Sequence, residues 1–253
     1  MVSKMFMKYY KHTMKEEIAV AKIVELKNVT KVYKTGEREF RALDGVDLDI
    51  EKGKFVVILG PSGAGKSTLL NLIGGMDIPT TGQVIVDGED ISKYNEDKLS
   101  RYRAATVGFI FQFYNILPTL TVLENVELVK DIVKNPLDPH EALVKVGLTE
   151  HENKFPNQLS GGEQQRISIA RAVAKNPKVL LCDEPTGALD SATGVEVLKL
   201  LMEQCKKGGN TVIIVTHNSL IADIADIVVR VKNGKIKSVV DNPSPKNIEE
   251  VEW

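Results

Sequence analysis

The sequence of 253 residues is poor in cysteine, carries almost no net charge and contains no long hydrophobic run. Its two cysteines, Cys182 and Cys205, are too few for a disulfide framework or for a four-ligand zinc site of their own. Lys and Arg number 33 against 34 Asp and Glu, a balance that argues against a general nucleic-acid-binding protein. The longest apolar runs have four or five residues, far fewer than the roughly 20 that cross a bilayer. A reducing compartment and no membrane span are therefore expected.

The apolar patterns predict an α/β fold. Residues 23–33 and 46–50 partly alternate apolar with polar side chains, which indicates half-buried antiparallel strands. Continuous apolar runs are typical of parallel strands covered on both faces, and they occur at 55–59, 179–182 and 212–215. Helix-like segments alternate with these runs and occupy 66–74, 163–175 and 191–207. This alternation predicts a mostly parallel sheet, and Asn233-Gly234 predicts a hairpin within 227–240.

The chain divides into an extension, a main domain and a tail. Residues 1–22 are the extension, and within residues 1–15 the side chains of Lys4, Lys8, Lys11 and Lys15 fall inside an arc of roughly 60° on a helical wheel, which fits a basic amphipathic helix on an anionic membrane or on a partner. A flexible leader, or a start codon placed too early, is the alternative. Residues 23–240 form the main domain, into which a helix-rich region at about 94–165 is inserted. The last segment, 241–253, holds four acids and two prolines and is predicted to be an acidic tail.

A phosphate-binding loop follows the strand at 55–59. The string from Gly60 to Ser67 matches G-x-x-x-x-G-K-[ST] in full. Its glycines allow backbone N–H groups to turn toward phosphate oxygens at a helix N-terminus. Lys66 is expected to reach the β- and γ-phosphates and Ser67 to coordinate Mg²⁺. The predicted nucleotide-binding residues of this loop are Gly60, Pro61, Ser62, Gly63, Ala64, Gly65, Lys66, Ser67 and Thr68.

A second string narrows the class of nucleotide-binding protein. Residues 159–166 read LSGGEQQR, in which Ser160-Gly161-Gly162 opens a helix and presents free N–H groups and a hydroxyl to an anion. The string resembles the signature LSGGQ of the ATP-binding-cassette (ABC) family, with Glu163 in place of the glutamine. The resemblance covers about residues 23–240. It implies a P-loop NTPase fold with a mostly parallel sheet, an antiparallel β subdomain and an inserted α-helical subdomain.

The resemblance also implies an ATPase with ATP and Mg²⁺ at its site. Asp183 resembles the Walker B aspartate that holds Mg²⁺, and Glu184 the general base that polarises the attacking water. Gln112 resembles the Q-loop glutamine that contacts Mg²⁺ and water, and His217 the switch histidine at the γ-phosphate. The resemblance assigns the remaining nucleotide contacts to Tyr33, which would stack on adenine, to the D-loop residue Asp190, and to Ser160, Gly161 and Gly162.

The family resemblance further implies partners. The signature would face the P-loop of a second copy, so that two chains arranged head to tail enclose two ATP molecules. Residues 111–126, FQFYNILPTLTVLENV, resemble the branch of macrolide-export, lipoprotein-release, antimicrobial-peptide-resistance and cell-division ATPases. A separate integral-membrane permease subunit and a place at the cytoplasmic face of the cell membrane are therefore expected, with no nucleic acid.

Rival functions remain at this point. A regulatory ATPase of the cell-division type, which moves no substrate, is an alternative to an export ATPase. A DNA-organising ATPase is excluded because only about 90 residues separate Ser67 from Leu159, too few for long heptad arms. A GTPase would need an Asn-Lys-x-Asp motif to recognise guanine, and residues 153–156, NKFP, do not match it.

The loop after Gln112 is unusually apolar. Its apolar residues, Phe113, Tyr114, Ile116 and Leu117, follow neither a helical nor a strand period. They either fold into the core or meet a partner. We expect at least Tyr114 and Leu117 to contact the membrane subunit.

Overall fold

The computed structural model describes residues 21–36 and 38–251, whose strands form two sheets. The first sheet is antiparallel, in the order β2-β1-β4-β5, with β1 Lys22–Thr35, β2 Arg38–Glu51, β4 Thr81–Val86 and β5 Glu89–Asp90. The second sheet has the order β10-β9-β3-β8-β7-β6 and contains β3 Phe55–Leu59, β6 Val107–Phe111, β7 Val179–Asp183, β8 Thr211–Thr216, β9 Ile227–Lys232 and β10 Lys235–Asp241. Its neighbours are parallel except for the β9–β10 hairpin. The predicted α/β fold is confirmed.

Six α-helices connect the strands within the described residues. They are α1 Lys66–Ile73, α2 Glu96–Thr106, α3 Val122–Glu127, α4 Pro139–Lys145, α5 Gly161–Ala174 and α6 Ser191–Lys206. Side-chain caps begin most of them, because the first N–H groups of a helix lack partners. The capping residues are Asn95, Thr121, Asp138, Ser160 and Asp190. No helix in the described ranges has the length and apolarity that a membrane crossing requires.

Each central strand contributes to two cores, which explains the continuous apolar runs in the sequence. Phe55, Val57 and Leu59 of β3 pack on the side of α3 to α6. Val56 and Ile58 point to the opposite side, where α1 and the first sheet lie. β7 and β8 divide their residues in the same way. Because successive side chains of a strand alternate between faces, both faces must be apolar when both are covered.

The predicted hairpin and helices appear with small changes. Asn233 and Gly234 take positive φ values of 52° and 71°, as a tight hairpin turn requires. Residues 121–133, whose pattern also predicts a helix, form a shorter one, since α3 ends at Glu127 and a 3₁₀ turn, Leu128–Asp131, follows. In the region 94–165, Leu99 and Tyr102 of α2 are buried in the core that also contains α1 and residues of the first sheet. The exact bounds of an inserted helical subdomain therefore remain a proposal.

The sequence predicts an extension at the N-terminal end of the chain and a tail at the C-terminal end. The proposed amphipathic helix in residues 1–15 lies outside the described residues. At the other end, a tail was predicted over 241–253, but β10 continues to Asp241 and the following residues return to the domain. Ile248 and Val251 are buried in the main core, and the N–H of Lys246 donates to Asp223 O at 2.9 Å. Residues 242–251 are thus packed against the domain.

Candidate nucleotide site

The P-loop lies between β3 and α1, at the carboxyl end of the parallel strands. Gly63 and Gly65 have φ values of 74° and 104°, which non-glycine residues rarely adopt. A Cβ atom at Gly65 would lie 2.5 Å from Ala42 O, and the backbone N–H of Gly234 donates to Ala64 O at 2.9 Å. The loop is therefore held against β2 and the β9–β10 turn, with no room for a side chain at position 65.

A cavity of about 150 Å³ opens beside this loop and is lined by residues 63–68 with Phe40 and Ala42. Lys66 is only 8% exposed, and its ammonium donates to Gly60 O at 2.8 Å and to Pro61 O at 3.2 Å. A buried cation requires nearby negative charge, which these carbonyls supply only in part. The cradle of backbone amides, a helix N-terminus and an ammonium therefore fits a phosphate chain.

The metal-binding residues predicted from the sequence come together only in part. Ser67 Oγ donates to Asp183 Oδ1 at 3.3 Å. Burial raises the pKa of the Asp183 carboxyl, and the neighbouring Glu184 charge raises it further. A hydroxyl and a carboxylate short of positive charge fit Mg²⁺, which prefers oxygen ligands. Gln112 Nε2 instead packs on Gly187, 2.9 Å from the position a Cβ there would take, and makes no hydrogen bond to Ser67 or Asp183.

Glu184 is fixed by two donors from the end of β8. Thr216 Oγ1 donates to one carboxylate oxygen and His217 Nδ1 contacts the other, each at 2.9 Å. Because a carboxylate can only accept, Nδ1 carries the hydrogen in this contact. Glu184 has a φ of 48°, and its backbone N–H donates to Val215 O at 2.9 Å. Such a strained, oriented carboxylate can accept a proton from water.

The signature residues lie at the start of α5. Ser160 caps the helix, while a Cβ on Gly162 would lie 2.1 Å from Thr193 Cγ2 in α6. Asp190 caps α6 through the backbone N–H and hydroxyl of Thr193, at 3.1 and 2.7 Å. No hydrogen bond joins Ser160, Gly161 or Gly162 to the P-loop within the described residues.

Tyr33 is partly exposed beside the nucleotide cavity. Its hydroxyl donates to Asp77 Oδ2 at 2.9 Å, and Lys31 Nζ lies 4.9 Å from the ring centroid. Phe40 is the cross-strand partner of Tyr33, is 60% exposed and lines the cavity, whereas Tyr33 does not. The sequence reading missed Phe40 because it placed no strand over residues 38–45, and it also missed Thr216.

The apolar loop after Gln112 divides into exposed and packed residues. Phe113 and Leu117 are 76% and 45% exposed, whereas Ile116 packs on the core. Tyr114 is half-buried, and its hydroxyl lies 2.8 Å from the position of a Cβ on Gly161. The expectation that Tyr114 and Leu117 meet a partner remains a prediction, with Leu117 the more accessible of the two.

The buried Asn125 fixes the end of this loop. It accepts from Leu117 N–H at 2.8 Å and donates to the carbonyls of Leu117, Leu120 and Thr121 at 2.9–3.1 Å. No sequence signal distinguishes this asparagine from a solvent-exposed helical residue. The hydrogen bonds of Asn125 therefore hold the backbone around the exposed Leu117 in place.

Comparison with known proteins identifies the class. A family model described as ABC transporter matches residues 43–187, more than half of the chain, and the chain therefore belongs to this family. An ABC transporter ATP-binding protein of Methanocaldococcus jannaschii, MJ0796, is 44% identical over 224 residues, covering 85% of this chain and 95% of that protein. A dimeric structure of MJ0796 bound to ADP and Pi matches with a TM-score of 0.79 and 42% identity, over 87% of this chain and 98% of that one. The predicted family and P-loop fold are confirmed, and the chain is an ABC ATPase domain.

Three further relatives are longer than this chain. A putative ABC transporter ATP-binding protein of Mycoplasma pneumoniae is 47% identical over 234 residues, which cover 91% of this chain but 50% of that protein. The chain thus spans about half the length of this relative and of its Mycoplasma genitalium counterpart. The macrolide export ATP-binding/permease protein of Hyphomonas neptunium is 45% identical over 221 residues, covering 85% of this chain and 34% of that protein.

Proposed function

We propose that this chain hydrolyses ATP as a head-to-tail homodimer and drives a separate integral-membrane subunit of an export system. The observation that carries the proposal is that the signature, at the start of α5, makes no hydrogen bond to the P-loop among the residues that the structure describes. The P-loop and the signature each present hydrogen-bond donors suited to phosphate, and each needs the other to complete a nucleotide site. A second copy, related by a twofold axis, supplies both missing halves at once. The dimeric structures of MJ0796, at 42% identity, support this arrangement.

The chemistry follows from residues at the ends of β3, β7 and β8. The P-loop amides and Lys66 bind and orient the phosphates, and a water near Glu184 loses its proton to that carboxylate. Mg²⁺, held by Ser67 and Asp183, would neutralise phosphate charge and so favour attack. Thr216 and His217 keep the Glu184 carboxylate in place, and His217 is well exposed toward the position where nucleotide would enter.

The loop between Gln112 and Leu120 connects the site to a partner. Gln112 lies against Gly187 in the turn after Glu184, whereas Phe113 and Leu117 face solvent a few residues later. Arg171 of α5 donates to Asn115 O at 2.6 Å, so the signature helix holds the same loop. A change at the nucleotide would thus move an exposed apolar surface. We place a membrane subunit on that surface and the chain at the cytoplasmic face of the membrane. The macrolide-export relative, which combines both parts in one chain, supports an export role.

ATP hydrolysis by the purified chain tests the enzymatic part. Release of phosphate should require Mg²⁺ and should fall to background in Lys66→Ala, because the phosphates lose their buried cation. His140→Phe, a change on the exposed side of α4, serves as the control and should hydrolyse ATP at the parental rate. Activity in Lys66→Ala equal to that of the parent would contradict the assigned site.

Co-expression with a candidate integral-membrane permease subunit tests the partner. The double variant Phe113→Ala, Leu117→Ala should keep its ATP affinity and melting temperature but lose most of its capture by that protein, because aromatic and aliphatic anchors carry much of an interface's energy. Val239→Ala, Val240→Ala, which alters two exposed apolar residues on β10, should be captured normally. Equal capture of both double variants would contradict the proposed surface.

A further inference from the structure

His151 contacts the first turn of α5, the helix that begins with the signature. His151 ends the 3₁₀ turn Thr149–His151, and its Nε2 lies 2.7 Å from Glu163 Oε1. The other Glu163 oxygen accepts from the Ser160 backbone N–H at 2.8 Å and from the Ser160 hydroxyl at 2.7 Å. The Glu163 carboxylate therefore joins His151 to the serine of the signature.

The charge of Glu163 opposes the use of Ser160 as a phosphate ligand. Hydrogen bonds from the Ser160 hydroxyl and backbone N–H, with His151 beyond them, lower the pKa of Glu163 to about 2. The carboxylate is thus ionised at neutral pH, and the Ser160 hydrogen points at it. A phosphate oxygen that approaches Ser160 must compete with Glu163 for this hydrogen. It is also repelled by the negative charge of the Glu163 carboxylate, which Ser160 contacts directly.

His151 reduces this opposition. A carboxylate can only accept hydrogen bonds, so Nε2–H donates to Glu163 and draws charge away from the oxygens that hold Ser160. His151 Nδ1 is buried and has no hydrogen-bond partner among the described residues. The histidine therefore acts on this cluster through a single bond to Glu163.

We infer that Glu163 and His151 are positioning residues that set how readily Ser160 binds the nucleotide held by a second copy. The inference rests on the proposed function, in which Ser160 faces the partner's P-loop. A purely structural capping box predicts a change in stability alone. The positioning role predicts a change in the ATP concentration at which two chains associate, without a change in the affinity of one chain for ATP.

The test uses the whole chain with Glu184→Gln, so that hydrolysis does not dissolve the dimer. ATP with Mg²⁺ is titrated, and light scattering gives the ATP concentration at half-dimerisation. His151→Phe, which keeps a ring but no donor, should raise this concentration roughly fivefold or more, since one hydrogen bond to a charged group is lost. His151→Gln, which restores a neutral donor, should return it to within about twofold of the parent.

Two further variants separate the charge effect from other causes. Glu163→Gln keeps an acceptor for Ser160 but removes the charge, so it should lower the half-dimerisation concentration, and His151→Phe should then add nothing. His140→Phe disrupts the neighbouring His140–Glu152 contact, which is 2.8 Å long and exposed, and should leave dimerisation unchanged.

An unchanged half-dimerisation concentration in His151→Phe overturns the inference. So does a loss of dimerisation that is matched by equal losses in melting temperature and in the ATP affinity of the monomer, because that pattern belongs to a structural role. Failure of the Glu184→Gln chain itself to dimerise with ATP would overturn the proposed function and this inference together. Normal dimerisation of that chain with no effect of His151→Phe overturns the inference alone.

Discussion

Replacing Gly162 by alanine places a methyl group against Thr193 of α6. The new Cβ would lie 2.1 Å from Thr193 Cγ2, but 3.5 and 3.8 Å from its Cβ and Oγ1. The threonine cannot turn away freely, because its hydroxyl and its backbone N–H both bind Asp190 at the start of α6. The substitution must therefore separate the starts of α5 and α6 or break the cap.

The cost follows from two opposing effects. Overpacking a core contact destabilises by about 1–3 kcal/mol, and loss of a helix cap costs about 1 kcal/mol. Alanine regains at most about 1 kcal/mol of helix propensity over glycine. We expect Gly162→Ala to lower the free energy of unfolding by about 2 kcal/mol, which in a domain of this size corresponds to roughly 4–8 °C in melting temperature.

Urea and thermal unfolding of three variants decide the matter. Thr193→Ser removes only the clashing methyl group, so Gly162→Ala, Thr193→Ser should recover parental stability to within about 0.5 kcal/mol. Gly194→Ala is the matched control, since its Cβ would lie 3.5 Å from Thr186 and should fit. Parental stability of Gly162→Ala alone, or no rescue by Thr193→Ser, would refute the packing described here.

Three further outcomes are expected. Tyr33→Ala should weaken ATP binding by roughly tenfold or more, since stacking of a base on an aromatic ring contributes about 1–3 kcal/mol, whereas Tyr33→Phe should bind normally in the same fluorescence titration. Thr216→Val should slow steady-state hydrolysis about tenfold or more at unchanged ATP affinity, because the Glu184 carboxylate loses a donor worth about 1.5–3 kcal/mol; an unchanged rate would show that Glu184 does not need it. Ile248→Ala should lower the free energy of unfolding in urea by at least about 2 kcal/mol. Removal of the exposed ion pair between Glu249 and α6 should lower it by less than about 0.5 kcal/mol. Equal losses would mean that residues 242–251 are not part of the core.

The features carried by short contiguous strings were predictable from the sequence. The P-loop and the β9–β10 turn contain glycines with positive φ, and the signature start of α5 contains glycines that leave no room for a Cβ atom. The buried strands β3, β7 and β8 were also predictable, because both their faces are apolar. Such features can be predicted from contiguous residues alone, without knowledge of the tertiary structure.

Features that depend on distant partners were not predictable. The first half of β2 is exposed and polar, and it is a strand only because it pairs with β1, so Phe40 was not placed opposite Tyr33. The segment after Asp241 is acidic and rich in proline, yet two apolar residues at its end, Ile248 and Val251, fill a gap in the core. The contact of His151 with Glu163 spans a turn and a helix, and neither residue alone distinguishes it from a surface position.

The central claim is that one nucleotide site is built from two copies of this chain. The most direct test is the molar mass of Glu184→Gln by light scattering, measured with and without ATP and Mg²⁺. With hydrolysis blocked and binding intact, we expect the mass to double when ATP is added, and the doubling to disappear when Ser160→Arg is introduced into the signature. A chain that stays monomeric at saturating ATP, or that dimerises equally well with Ser160→Arg, would contradict the account.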